Sequence, residues 1–208
     1  MFLITAHPRS GTSYTEKLLK QAGFRIGGER YGRRRLLEEE AEVDGVVSWQ
    51  HVVLYKDDFR QVFHQTRNPL EVIASAQTLH NGSFRKIFKN FEKKPENIKV
   101  KMFVRKLLPG LVKKSVIEWA MLSWVYWNEL IENDSRVVYR YKIEDMETEW
   151  SNIMDILGKK DLEKPELRED INTRESSYSK IDKKYMEMIN PDLTEKIISK
   201  GRKYGYEL

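Results

Sequence analysis

Arg9, Ser10, Thr12 and Ser13 crowd a single short stretch, His-Pro-Arg-Ser-Gly-Thr-Ser-Tyr-Thr over residues 7–15. A fixed cation beside three hydroxyls is a donor set for an anion. What precedes and follows the stretch decides whether those donors converge. Phe2 to Ala6 is a short apolar, β-prone run, long enough for a buried parallel strand. His7 to Thr12 reads as a tight turn punctuated by Pro8 and Gly11. From Thr12 onward Tyr14, Leu18 and Leu19 recur at helical spacing, with Thr12 or Ser10 placed to cap the helix. Strand, small-residue loop and helix N-terminus in that order aim backbone N–H groups and the positive end of a helix dipole at one spot. An ordinary strand–turn–helix with a surface arginine is the plainer alternative. The phosphate reading is preferred because the cation and hydroxyls gather in the one turn where they are useful. The G-x-x-x-x-G-K-[ST] spacing of a Walker A loop is absent.

A second junction of the same kind follows. Gln61 to Thr66 is a strand candidate that runs into Arg67-Asn68-Pro69, after which Leu70, Val72, Ile73, Ala76 and Leu79 mark one face of a helix. Asn68 suits the N-cap and Pro69 the first helical position. Arg67 then stands at a strand's carboxyl end, where open α/β sheets bind ligands. Ser75 falls about a turn and a half into the helix, on the side away from the apolar stripe.

Pro8-Arg9-Ser10-Gly11-Thr12-Ser13-Tyr14 resembles the 5′-phosphosulfate loop of sulfotransferases that use 3′-phosphoadenosine-5′-phosphosulfate (PAPS), whose common form is Pro-Lys-Ser-Gly-Thr-Thr-Trp, with Arg for Lys in many members. Arg67-Asn68-Pro69 with Ser75 eight residues beyond Arg67 resembles the same family's second hallmark. The resemblance implies that residues 9–14 cradle the 5′-phosphosulfate and that Arg67 and Ser75 hold the 3′-phosphate. It also implies transfer of a sulfuryl group from PAPS to an acceptor hydroxyl or amine, with release of adenosine 3′,5′-bisphosphate (PAP) and no metal. Arg9 takes the place of the family's catalytic lysine. The resemblance covers residues 2 to about 158 and is weaker outside the two phosphate motifs.

For the base that takes the acceptor's proton the resemblance leaves two candidates. Many members carry a His after the second strand, and His51 in Ser48-Trp49-Gln50-His51 is near that place. A bacterial subset has Gly-His-Glu before a Gly-x-x-Ser-Trp strand; this chain has Gly27-Gly28-Glu29 and Gly45-Val46-Val47-Ser48-Trp49, which brings in Glu29. Near the adenine the family has Arg-Tyr-Glu-Asp-Leu, and here Tyr141 is separated from Glu144-Asp145 by two residues, so the aromatic that touches the base stays open. The family closes the cofactor site with a basic loop. Residues 172–176, with Arg174, are preferred for it over Lys200-Gly201-Arg202, which falls in the last helix.

The elements that must position these groups read as an α/β chain. Val46 to Trp49 is a strand running on towards His51 and Leu54, Arg136 to Tyr141 is a fourth strand, and Val116 to Ile131 is a broad-faced, largely buried helix. Trp150 to Leu157 and about Asp192 to Tyr204 are further helices. The order predicts a three-layer, P-loop-like α/β domain with a central parallel sheet of four or five strands. At 208 residues the chain fits one domain. Residues 81–114 form a basic helical insertion, with eleven Lys or Arg against Glu92 and Glu96 and with Phe84, Phe88 and Phe91 at helical spacing. That insertion is read evenly as a solvated segment or as the contact for an anionic acceptor or a membrane surface.

Composition narrows the class. No cysteine is present, which excludes disulfides, thiolate metal sites and a Cys nucleophile, and suits a cytoplasmic protein. No signal peptide is expected, since the apolar start is consumed by the first strand, and no run approaches ~18 apolar residues. A net charge of +5 suits an anionic ligand and carries no specific nucleic-acid signal. The expected partner is a small-molecule, glycan or lipid acceptor. Two other readings compete: a P-loop kinase of a small metabolite, disfavoured by the missing Gly-Lys-Ser/Thr, and a noncatalytic PAP- or polyanion-binding module.

Overall fold

Phe2–Thr5 (β1) is the middle strand of a five-stranded sheet that also contains Ile26–Gly27 (β2), Gly45–Val47 (β3), Gln61–Thr66 (β4) and Val137–Lys142 (β5). The computed structural model of the chain describes residues 1–28, 43–49, 59–78, 115–167 and 179–208. Strand order is β2-β3-β1-β4-β5 and every pairing is parallel. In β1 Phe2 and Ile4 lie on one face and Leu3 and Thr5 on the other, and all four are buried. Both faces of the sheet are therefore covered, as the three-layer α/β class requires, and continuous apolar strands are what such a sheet selects. The fold is the α/β one expected, with five parallel strands.

The described residues fall into two compact units. The first, Met1–Arg67 with Ile131–Glu175, contains the whole sheet, Thr12–Gln21 (α1), a 3₁₀ turn Ile143–Asp145, and Met146–Ile156, which is α4 in chain order. Its core joins Phe2, Ile4, Val47 and Phe63 to Leu18 and Leu19 of α1 and to Trp150, Ile153 and Met154 of α4. Phe2 stands edge-on to Phe63 and Phe24, with ring centroids 6.2 and 6.0 Å away. Gly45 opens β3 beside that ring, and a Cβ there would lie 2.5 Å from Phe2, so close strand approach requires the glycine. Gly23, φ 91°, ends α1: its N–H reaches the Lys20 carbonyl and the Phe24 N–H reaches that of Leu19.

The second unit, Asn68–Leu130 with Ser176–Leu208, is helical. Pro69–Ser75 (α2) starts as its sequence predicts, with Asn68 Oδ1 accepting from the Leu70 N–H at 2.9 Å and Pro69 in the first turn. Val116–Glu132 (α3) begins in this unit and buries Trp119, Trp124 and Trp127. Lys183–Ile189 (α5) and Pro191–Lys203 (α6) follow, capped by Asp182 and Asn190. Trp124 packs on Tyr204 at 5.9 Å, and Asn190 also donates to Glu118 at 3.1 Å.

Three expectations differ. The second predicted strand is only Gly45–Val47, and it is preceded by the unpredicted edge strand β2. The helix expected from Trp150 begins at Met146, because Met146 joins Trp150 and Ile153 in the core. Helix α5 has no counterpart among the expected elements: its seven residues carry Met186 as their one buried side chain, too little for an amphipathic pattern. Glu29, His51, Arg174 and the basic segment 81–114 lie outside the described residues.

Candidate functional site

From β1 the chain passes through α1 to β2 and β3 on one side, whereas β4 and β5 extend the sheet on the other. The carboxyl ends of β1 and β4 therefore mark the topological switch point, where open parallel sheets leave a crevice for ligands. The two segments that emerge there are His7–Gly11 and Arg67, the two motifs singled out in the sequence.

The loop after β1 has an unusual backbone. The Ser10 N–H donates to the His7 carbonyl at 3.1 Å, closing a turn with Pro8 second and Arg9 third. Arg9 has φ 76°, the positive value that the third position of a type II turn requires and that glycine normally supplies. Gly11 follows with φ 83°, and Ser10 between them has negative φ. Alternation of positive and negative φ is the backbone pattern from which nests of N–H groups are built. Gly11 is also the N-cap of α1, where no side chain caps the helix and the first turn holds no acidic residue. This corrects the expected cap at Thr12 or Ser10: Thr12 is already helical, and Ser10 is buried and held by the turn. A side chain at Gly11 would be strained by its φ and would bring a Cβ to 3.2 Å from Ile143 Cγ1.

Buried partners hold this backbone from beneath. Gln65 Nε2 donates to the Ser10 carbonyl, while Gln65 Oε1 accepts from Thr15 Oγ1 at 2.6 Å and from the Tyr141 hydroxyl at 2.8 Å. Arg67 Nη1 donates to the Arg9 carbonyl at 3.2 Å, so the second motif's arginine is tied to the first motif's loop. Arg9 is half-buried, Ser13 is exposed on α1, and Tyr14 packs against the apolar core. Burial pushes the Tyr141 phenol above its ordinary value, which keeps it a proton donor to Gln65. Lys142, paired with Asp145 at 2.7 Å, is held above the usual lysine value chiefly by that hydrogen bond.

His7, the first residue of the turn, is 1% exposed, and burial lowers its pKa to about 3 against a smaller opposing contribution from the backbone at Pro8. The folded value lies below the unfolded one, so the stability His7 contributes as a neutral side chain is complete above pH ~6.5. It is lost as pH falls from there towards 3, because only the unfolded chain takes the proton. Wild type is expected to lose about 1.4 kcal/mol per pH unit more than His7→Asn between roughly pH 6 and 4.5. Denaturant melts at several pH values check this, and parallel slopes for the two proteins would place His7 in water rather than in the core.

Ser75 ends α2 in the second unit. It is 3% exposed and its Oγ donates to the Val72 carbonyl at 2.9 Å. The sequence placed it away from the apolar stripe; the helix instead buries Val72, Ile73, Ala74 and Ser75 in succession, so it has no solvent-facing side there. Lys200-Gly201-Arg202 lies within α6, as expected. Sequence reasoning missed Gln65, Thr15 and His7. A signal existed for the first: a glutamine inside a fully buried parallel strand must find partners for both ends of its amide. Among the described residues no group of three or more His, Cys, Asp or Glu is placed to hold a metal ion, and no helix is long and apolar enough to cross a membrane.

The fold is α/β, and a loop carrying two positive-φ residues, Arg9 and Gly11, leaves its sheet at the switch point. Comparison of the chain with known protein families, curated proteins and solved structures gives no match.

Proposed function

We propose that the protein is a sulfotransferase, moving a sulfuryl group from PAPS to an acceptor hydroxyl or amine and releasing PAP. The observation that carries this reading is the pairing of the two motifs at one place: the nest at Arg9–Gly11 before the uncapped N-terminus of α1, tied through its Arg9 carbonyl to Arg67. The donor set fits a dianionic ester. Backbone N–H groups at residues 11–13 and the hydroxyls of Ser10, Thr12 and Ser13 would receive the 5′-phosphosulfate, and Arg67 the 3′-phosphate. PAPS supplies a sulfur already bonded to a good leaving phosphate.

In the transfer, a bond forms between the acceptor oxygen or nitrogen and sulfur, and the bond from sulfur to the bridging oxygen breaks. Negative charge builds on that oxygen and PAP departs. Arg9 and the loop N–H groups stabilise this charge, a preorganised electrostatic contribution of the kind that dominates phosphoryl transfer. As a permanent cation Arg9 does not donate a proton. The acceptor's proton goes to Glu29, with His51 the rival. Arg174 is assigned to the closing loop.

PAP should bind and ATP should not bind comparably, since ATP lacks the 3′-phosphate proposed for Arg67. PAP at one hundred times its dissociation constant should add about 2.7 kcal/mol of stability. Arg67→Ala should remove most of the preference for PAP. Equal stabilisation by ATP and PAP in a thermal-shift assay would replace this reading with the kinase one.

A further inference from the structure

We infer that Gln65 is the positioning residue of the anion loop: its side-chain amide sets the loop backbone in the conformation that accepts the ligand, without touching the ligand itself. Resting on the proposed PAPS chemistry for its ligand, the inference concerns a residue outside both motifs.

Gln65 is fully buried in β4, two residues before Arg67. Its amide orientation is forced by its neighbours. The Ser10 carbonyl can only accept, so the group facing it must be the NH₂. The Thr15 and Tyr141 hydroxyls then meet the amide oxygen, and both donate to it at 2.6 and 2.8 Å. One side chain thus joins four separate pieces of the chain: the β1 loop at Ser10, the first helical turns of α1 at Thr15, β4 itself, and β5 at Tyr141. Thr15, Ser10 and Tyr141 are each at most 2% exposed, so water does not replace these bonds.

The Ser10 carbonyl is the point on the loop where this matters most. Ser10 lies between the two positive-φ residues, Arg9 and Gly11, and its orientation decides whether the N–H groups on either side converge. Rotation of this peptide unit would flatten the nest, and Arg9 in particular is held in a conformation that an L-residue resists. Gln65 opposes that relaxation from below, and the Arg67 bond to the Arg9 carbonyl acts on the preceding peptide unit. Gly11 completes the arrangement: the Cβ it lacks would lie 3.6 Å from Gln65 Nε2, so the loop rests directly on the amide.

Gln65→Glu isolates the single bond at issue. An ionised carboxylate still accepts from Thr15 and Tyr141 but repels the Ser10 carbonyl, whereas the protonated acid has the amide's shape and can donate again. Amide hydrogen exchange of residues 8–13 and PAP titration calorimetry should be run at pH 7.5 and 5.5 on wild type, Gln65→Glu, Gln65→Leu, Thr15→Val and Tyr141→Phe. At pH 7.5 the two Gln65 variants are expected to exchange loop amides faster and to bind PAP about tenfold or more weakly, the scale of one buried hydrogen bond left unmade. At pH 5.5 Gln65→Glu should recover most of both losses relative to wild type while Gln65→Leu recovers neither. Thr15→Val and Tyr141→Phe keep the Ser10 bond and should lower global stability with PAP affinity within a few-fold of wild type. Wild-type loop exchange in Gln65→Leu at pH 7.5 would overturn the inference, as would loss in Gln65→Glu that acid does not reverse. If the exchange pattern holds while wild type binds no PAP, the positioning role stands and the PAPS reading fails. If Gln65→Leu does not fold, the pH response of Gln65→Glu decides alone.

Discussion

Glu29→Gln is expected to lower turnover by ~10²–10⁴-fold while leaving PAP affinity nearly unchanged, the signature of a lost general base. All five strands are parallel, so the carboxyl end of β2 at Gly27 lies on the same edge of the sheet as the loop after β1. Gly28, next in sequence, lies so close to Glu16 of α1 that a Cβ there would meet its carboxylate. Glu16 is one turn beyond the Thr12 end of that helix. Gly28, the residue before Glu29, therefore lies beside the N-terminal half of α1, at the carboxyl edge of the sheet. For His51 the comparable derivation is weaker. β3 ends at Val47, before the buried Trp49, so strand alternation does not relate His51 to Trp49. Steady-state assays with any competent acceptor, alongside calorimetry with PAP, check the assignment. Near-full turnover of Glu29→Gln with loss in His51→Asn at unchanged PAP affinity would make His51 the base.

The two strand–turn–helix junctions were legible because each depends on local grammar. A strand must end, a loop of small residues must turn, and a helix must start, and Pro8, Gly11, Asn68 and Pro69 announce those events within a few residues. The strands at 2–5 and 61–66 were legible for the same reason, each running directly into one of those turns. Edge strand β2 was not, since two residues carry no periodicity. Nor was the N-cap of α1. Thr12 and Ser10 satisfy the usual capping chemistry, yet Gly11 takes the position, at a positive φ that glycine adopts without steric cost. Gln65 illustrates the limit most clearly. Its partners lie 50, 55 and 76 residues away, and only the parallel register of β4 with β1 and β5 brings them together. Ser75 was misplaced for a related reason: a helical stripe read from Leu70 to Leu79 does not reveal that Val72 to Ser75 are all buried.

Arg9 should show function and stability pulling in opposite directions. Its φ of 76° places an L-residue where glycine is preferred, at a cost of roughly 1–2 kcal/mol. Residues held in this way cluster at ligand clamps, where the surrounding structure over-determines the strained backbone. Here the surroundings are identifiable: the Ser10 N–H bond to the His7 carbonyl closes the turn, and the Arg67 guanidinium holds the Arg9 carbonyl. Arg9→Gly removes the strain and the cation together, whereas Arg9→Ala removes the cation and keeps the strain. Arg9→Lys keeps both a charge and the strain but replaces the guanidinium fork with a point charge. Arg9→Gly is therefore expected to be more stable than Arg9→Ala by about 1 kcal/mol, part of the relief being offset by the greater freedom of glycine in the unfolded chain. Both should lose ~10²–10³-fold in turnover, the usual cost of removing one preorganised donor from a site of developing negative charge. Arg9→Lys should retain more turnover than either while matching Arg9→Ala in stability. Denaturant melts and single-turnover rates on the three variants separate the backbone from the guanidinium. Equal stability of Arg9→Gly and Arg9→Ala would refute the strain, and near-wild-type turnover in Arg9→Gly would remove Arg9 from the chemistry. Because the two readouts move independently, a gain in stability with a loss of turnover in one variant cannot be dismissed as general unfolding.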